Sequence, residues 1–405
     1  MNRRKFIKNS ALTTAGTMLI PHFLKAYELN QLGRAALAGA LDPNKVLVIV
    51  QLSGGNDGLN TVVPYRNDIY YRERPRIAIA ADKVFRLNDE VGFHPALESL
   101  RSWYDDGKVT IINNVGYPNP DRSHFRSMDI WQTASNADQY LNTGWLGRFL
   151  DANCTGTACE PHRAIEVDDT LSLALKGQKL NGLAVLNPAR LHNQTRHGMV
   201  QQLAQMQPDH DHNNVAYLYK TLAETVSSAN YVYEKAKVQS AKATYPASEL
   251  GNRLKTVSEL IQSGVNTSVY YISIGGFDTH INQPGQQERL LRQYAEAVNV
   301  FLGDIKQAGR LNDVLLMTFS EFGRRVKQNA SNGTDHGTAN NVFLMGGNLT
   351  PGKVFNEAPD LTDLDEGDLK YTIDFRSIYA TLLRNWLKAD DVAVLGQKFD
   401  TLIFG

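Results

Sequence analysis

Five short apolar runs, mostly β-branched, punctuate the chain. The first, Val46-Leu47-Val48-Ile49-Val50, shows no polar alternation, which is how a strand buried on both faces of a parallel sheet reads. Val109 to Asn113, Val269 to Ile274, Val314 to Phe319 and Val342 to Met345 repeat the pattern. Between them apolar residues recur at helical spacing. His94 to Asp106 carries Leu97, Leu100, Trp103 and Tyr104, and Phe375 to Leu387 carries Ile378, Leu382, Leu383 and Trp386. Val215 to Ala243, Ser248 to Ser263 and Gln286 to Ala308 are patterned as amphipathic helices. Strands alternating with helices predict an α/β fold: a doubly wound, mostly parallel sheet with helices on both faces. The stretch from Asp151 to Pro246 is polar, rich in Gln, Asn and His, and lacks strong strands. It reads as an insertion or cap, at about 151–246, on a single domain spanning 41–405.

Composition narrows the partners. The chain has 405 residues and is 42% hydrophobic, enough for one large α/β core. Lys and Arg total 42, as do Asp and Glu. With no basic excess there is no electrostatic case for nucleic acid or for an anionic membrane. The N-terminus begins Asn2-Arg3-Arg4-Lys5-Phe6-Ile7-Lys8, followed by a mildly apolar stretch from Ala11 to Leu24. That stretch is too short and too weakly apolar for a stable membrane span. The twin arginines resemble a bacterial Tat signal. Residues 1–40 are therefore expected to be signal and linker, the Tat machinery to export the chain folded, and the product to be periplasmic or secreted. A basic start to a cytosolic helix is the alternative. Cys154 and Cys159 share a Gly/Thr-rich loop and can either close a small disulfide or stay free thiols.

Acids and imidazoles cluster just beyond the apolar runs. Gly275-Gly276-Phe277-Asp278-Thr279-His280 follows the third run, Ser320-Glu321-Phe322-Gly323-Arg324 the fourth, and Thr334-Asp335-His336-Gly337 lies on the polar loop after it. Asp278 and His280, two apart, share a face if strand geometry persists, and Asp335 and His336 can complete a divalent-metal site with them. Asp278 can instead cap the following helix, with His280 a packed polar residue. Glu321 can be a ligand or a base. Arg324 can grip an anion with its planar fork or simply pair with Glu321. In Asp121-Arg122-Ser123-His124-Phe125, Ser123 can be a nucleophile, a helix N-cap or both. Side chains at i and i+1 diverge, so a metal rather than His124 would activate Ser123. Ser53-Gly54-Gly55-Asn56-Asp57-Gly58 ends the first run and lacks both the G-x-G-x-x-G and the P-loop spacing. Its Asn56 or Asp57 either faces the pocket or only shapes a tight turn. Pro208-Asp209-His210-Asp211-His212-Asn213 has metal-binding composition but reads as a solvated loop.

The ordered set of these motifs, from Gln51-Leu52-Ser53-Gly54-Gly55-Asn56-Asp57-Gly58 to Thr372-Ile373-Asp374-Phe375-Arg376, resembles an exported bacterial family catalogued as domain of unknown function 1501. That family is similar to the alkaline phosphatase and sulfatase superfamily. The resemblance implies a doubly wound core, divalent metal and a Ser, Thr or formylglycine nucleophile. Residue by residue it implies Asp278, His280 and His336 on a first metal, with Asp335 and Asp57 as further candidates, and Ser123 as nucleophile. Glu321 falls where an Asp-His pair holds a second metal, with Phe322 in the histidine's place. The implied function is metal-assisted attack on a phosphate or sulfate ester, with Ser123, Glu321 and Arg324 as the catalytic set. The metal would be zinc, manganese or calcium, and the substrate an anionic ester small molecule or a glycan. The alternative is an exported envelope or binding protein that keeps the fold with a degenerate site.

Overall fold

The computed structural model describes residues 42, 44–154, 160–206, 213–238, 240–349 and 353–403. The twin arginines, Cys159, His210 and His212 lie outside the described residues. Cys154 is in a disulfide.

The central sheet has eight strands: β1 (Val46–Leu52), β2 (Val109–Gly116), β3 (Ala164–Glu166), β4 (Leu183–Ala184), β5 (Val269–Ile274), β6 (Val314–Phe319), β7 (Asn340–Gly346) and β8 (Ile373–Asp374). Their order is β8-β2-β7-β6-β1-β5-β3-β4. In the middle, Ile49 of β1 lies opposite Tyr271 of β5 and Met317 of β6, both parallel. Only β7 runs against its neighbours. The fold is thus the mostly parallel α/β sheet that the apolar runs predict, and all five runs are strands.

The absence of polar alternation in β1 has its reason here. Val46, Val48 and Val50 enter one core with Leu97, Leu254 and Phe301. Leu47 and Ile49 enter the other, with Ile130, Trp131, Tyr379 and Leu383. Each face needs its own cover of helices, and the sequence supplies both. The first core is covered by a 3-10 helix, Pro95–Leu100, running into a short α-helical segment, Arg101–Asp105, with α3 (Glu249–Gln262) and α4 (Gln283–Gln307). The second is covered by α1 (His124–Thr133) and α5 (Phe375–Thr381). Ser248 caps α3 by accepting from the Gly251 amide at 3.1 Å. The stretch expected to be helical from Phe375 to Leu387 is helical through Trp386, its second half, Leu382–Trp386, as a π-helix; a further short helix, Asp391–Leu395, follows it.

The stretch at 151–246 is not wholly an insertion. β3 and β4 lie within it and form one edge of the main sheet, β3 pairing in parallel with β5. Both are too short to show a period in the sequence. The long helix α2 (Asn213–Ala236) follows, and its Val232 reaches the first core.

Candidate metal centre

Seven of the eight strands point the same way, so the loops after β1, β2, β5 and β6 emerge at one edge, and the loop that enters antiparallel β7 reaches that edge too. Carboxyl ends of parallel strands are where such sheets place their sites. The turn after β1 can lie flat against its neighbours only because it is glycine. Gly54 and Gly55 have φ of +119° and +73°, and an added Cβ would sit 2.4 Å from the Asp278 nitrogen and 2.2 Å from the Phe322 ring respectively.

Four side chains from three loops converge on this edge. Oδ1 of Asp278 lies 3.0 Å from Nε2 of His280, 3.3 Å from Nε2 of His336 and 3.5 Å from Nε2 of His124. The two nitrogens of His280 and His336 are 2.9 Å apart. His124, Asp278 and His336 each offer a ligand atom within 4.8 Å of the others. A tetrahedral ion with bonds of ~2.0–2.1 Å has ligand–ligand edges of ~3.3 Å; the four contacts above run from 2.9 to 3.5 Å.

Each imidazole is held by its far nitrogen. Nδ1 of His336 donates to the Arg122 carbonyl at 2.7 Å. Nδ1 of His280 donates to Asp335 at 3.2 Å, and Nδ1 of His124 to Glu321 at 3.0 Å. Carbonyl and carboxylate oxygens accept only, so in each neutral ring the proton sits on Nδ1 and Nε2 presents a lone pair. This is how metal-binding histidines are oriented. Lone pairs of two imidazoles and a carboxylate facing one another at about 3 Å repel. One proton relieves one such contact, whereas a divalent cation relieves all of them.

Electrostatics favour the ligating forms of Asp278 and His336 and oppose that of His124. Burial pushes the Asp278 carboxyl up, but the hydrogen bond and charge of Arg324, with His336 and His280, bring it down to about 2. Burial holds His336 below its ordinary value. His124 is raised, first by its hydrogen bond to Glu321.

Several expected roles change. Asp57 does not join the cluster. It is fully buried in an ion pair with Arg74 at 2.6 Å, accepts from Gln283 at 2.5 Å and caps the turn at Asn60, so its oxygens are already used. Arg324 has no fork to offer an anion. It is fully buried, and its N–H groups go to the carbonyls of Gly54, Gly55, Phe277 and Thr334 and to Asp278. Four carbonyls from three loops make it the pin that holds these turns together. It pairs with Asp278, not with Glu321. Glu321 is buried too, with Oε1 accepting from the Gly54 amide at 2.8 Å and facing His124. It orients the His124 ring. Asp335 does the same for His280.

Phe322, in the place a histidine would take, packs its ring 4.8 Å from that of His124 and 4.7 Å from that of His336. Ser123 occupies the N-cap position of α1 but makes no capping bond with its side chain. It is exposed, between Arg122 and His124, both tied to the cluster. Asp278 caps no helix, since Asn282 precedes α4.

His124 is the cluster residue that sequence reasoning passed over. Its signal was its place beside Ser123, discounted because adjacent side chains diverge. The divergence is real: the serine is exposed while the imidazole turns inward. No helix among the described residues is long and apolar enough to cross a membrane.

The fold is alignable with solved structures. The C-terminal periplasmic domain of EcEptC from Escherichia coli, in a complex with Zn, is 12% identical over 76% of this chain and 74% of that one, at a TM-score of 0.37. The lipoteichoic acid synthase LtaP from Listeria monocytogenes is 10% identical over 79% and 72%, at 0.36. The PsFucS1 sulfatase from Pseudoalteromonas sp. is 12% identical over 94% and 74%, at 0.38. These are distant likenesses. No curated protein matches the sequence. Residues 98–391, most of the chain and the span that carries His124, Asp278, His280, Glu321 and His336, match the family described as protein of unknown function (DUF1501), and the chain belongs to that family.

Proposed function

We propose that this protein is an exported metal-dependent hydrolase acting on an anionic phosphate or sulfate ester. The observation that carries the reading is the 2.9 Å contact between two imidazole Nε2 atoms whose Nδ1 atoms are both committed, with a carboxylate oxygen beside them. Asp278, His280, His336 and His124 would hold the ion. Nitrogen-rich ligands suit zinc best among zinc, manganese and calcium. A divalent ion supplies positive charge where negative charge grows on the ester oxygens. Ser123, exposed and uncapped beside the cluster, is the nucleophile in this reading. Its Oγ bonds to phosphorus or sulfur and gives its proton to solvent, the ester P–O or S–O bond breaks and the alcohol leaves with a proton from solvent, and water then cleaves the seryl ester, restoring the hydroxyl and releasing the acid.

With Arg324 consumed, the anion needs other cations. Arg122 and Arg325 both pair with the buried carboxylate of Asp368, Arg325 at 3.5 Å, and both stay partly exposed. Arg122 also faces Glu366 at 3.7 Å, so the two guanidiniums are balanced by two carboxylates and an anion must compete for them; alanine at either position should raise KM more than it lowers kcat.

A second reading is supported by Phe322. Its apolar ring replaces a nitrogen ligand and leaves no second metal place, which fits a protein that binds without turnover. Metal analysis of protein purified without added metal, with hydrolysis of p-nitrophenyl phosphate and sulfate, separates the two. The hydrolase reading expects about one bound zinc per chain and turnover that chelator removes and zinc restores, and Asp278→Asn should lose both. Bound zinc without turnover favours the binder. Protein that takes up no zinc, or an Asp278→Asn variant of full activity, sinks the proposal.

A further inference from the structure

Beside the metal cluster lies a cavity of about 510 Å³ that shares Glu321 and Phe322 as a wall and touches none of the four proposed ligands. Its volume is in the ordinary range for a small-molecule pocket. Trp131, Tyr117 and Tyr371 line it. Trp131 is 2% exposed, and its indole N–H, fully buried, has no acceptor in the protein. Buried donors without partners are rare and costly, so this one calls for an acceptor from outside the chain.

We infer that this cavity binds a neutral hydroxylated, sugar-like group, the leaving part of the ester whose anionic end sits at the metal. The inference rests on the reading of the Asp278 cluster as the reaction centre and names what is esterified. The lining excludes the other classes. Asp121 and Asp365 contribute carboxylates, Glu321 being already committed to Gly54, His124 and Ser320, while the one cation of the lining, Lys370, is paired with Asp363. A second anionic group is therefore repelled. An ammonium group suits the carboxylates but has no lone pair for the Trp131 N–H. A hydroxyl both accepts from that N–H and donates to the acids, and the tyrosine rings offer apolar surface to the C–H faces of a sugar ring.

The experiment is saturation-transfer NMR and tryptophan fluorescence with methyl β-D-glucopyranoside and methyl β-D-galactopyranoside, with choline chloride as the ammonium competitor. It uses wild type in zinc, wild type in chelator, and the Asp278→Asn variant. Binding of at least one glycoside in all three supports the cavity independently of the metal, even where zinc uptake or turnover fails. Trp131→Phe keeps an aromatic ring between Phe319 and Phe375, which stack on the indole at 4.7 and 4.3 Å, and removes the N–H together with part of the indole. It should weaken binding about five-fold. Tyr371→Ala, at the exposed rim, should weaken it without loss of fold and serves if Trp131→Phe does not fold. No binding by either glycoside, affinity unchanged in both variants, or tighter binding of choline overturns the inference.

Discussion

At the scale of single residues, Glu321 decides more than its buried position suggests. Its hydrogen bond sets the His124 tautomer and is the first cause of that imidazole's raised pKa. A raised pKa means that a proton competes with metal at His124 first as pH falls, since a ligating imidazole must be neutral. Zinc should therefore leave as pH drops through the histidine range, with activity following. Glu321→Gln should lower zinc affinity about 10–100-fold at neutral pH, while the His124 titration, followed by NMR in zinc-free protein, moves to lower pH. An unchanged His124 titration in that variant would show that the carboxylate does not control the ring.

At the scale of elements, the strand ends do the positioning and one of them carries a cost. Glu166 ends β3 nearly buried, accepting from the Ser172 amide at 2.6 Å. Burial raises its carboxyl from 4.5 to about 7. Between those values the folded chain keeps a proton that the unfolded chain has released. Stability therefore falls as pH rises across that window and levels off above about 7. Glu166→Gln keeps an acceptor and removes the ionisation, so it should stabilise the protein at pH 8 on the order of 2–3 kcal/mol and change little at pH 4.5. Thermal melts at the two values check this, and equal shifts at both would rule out the ionisation as the cause.

At the scale of the whole molecule, the proposed metal ligands come from loops separated by up to 212 positions, His124 to His336. An ion bound only by the folded chain ties those loops together and adds its binding free energy to stability, about 2.7 kcal/mol at a hundred-fold excess over Kd. The melting temperature should fall in chelator and rise with zinc concentration, and Asp278→Asn should melt at one temperature in both. A wild-type melt indifferent to zinc would mean that the ion does not bridge the loops.

The five apolar runs, the helices between them and the Asp278, His280 and His336 motifs were legible because burial on both faces of a sheet imposes a residue type on every position of a strand, and because imidazole and carboxylate groups at strand ends advertise chemistry. β3 and β4 were not, since two or three residues hold no period. Nor were the roles of Asp57, Arg324 and His124. Whether a carboxylate meets a buried guanidinium, whether an arginine spends its donors on carbonyls, and which way an imidazole turns from its neighbour depend on groups distant in the chain. The residue types are written in the sequence; their partners are fixed only when the turns after β1, β2, β5 and β6 are packed against one another, because hydrogen bonds and ion pairs act over about 3 Å in space whatever the separation along the chain.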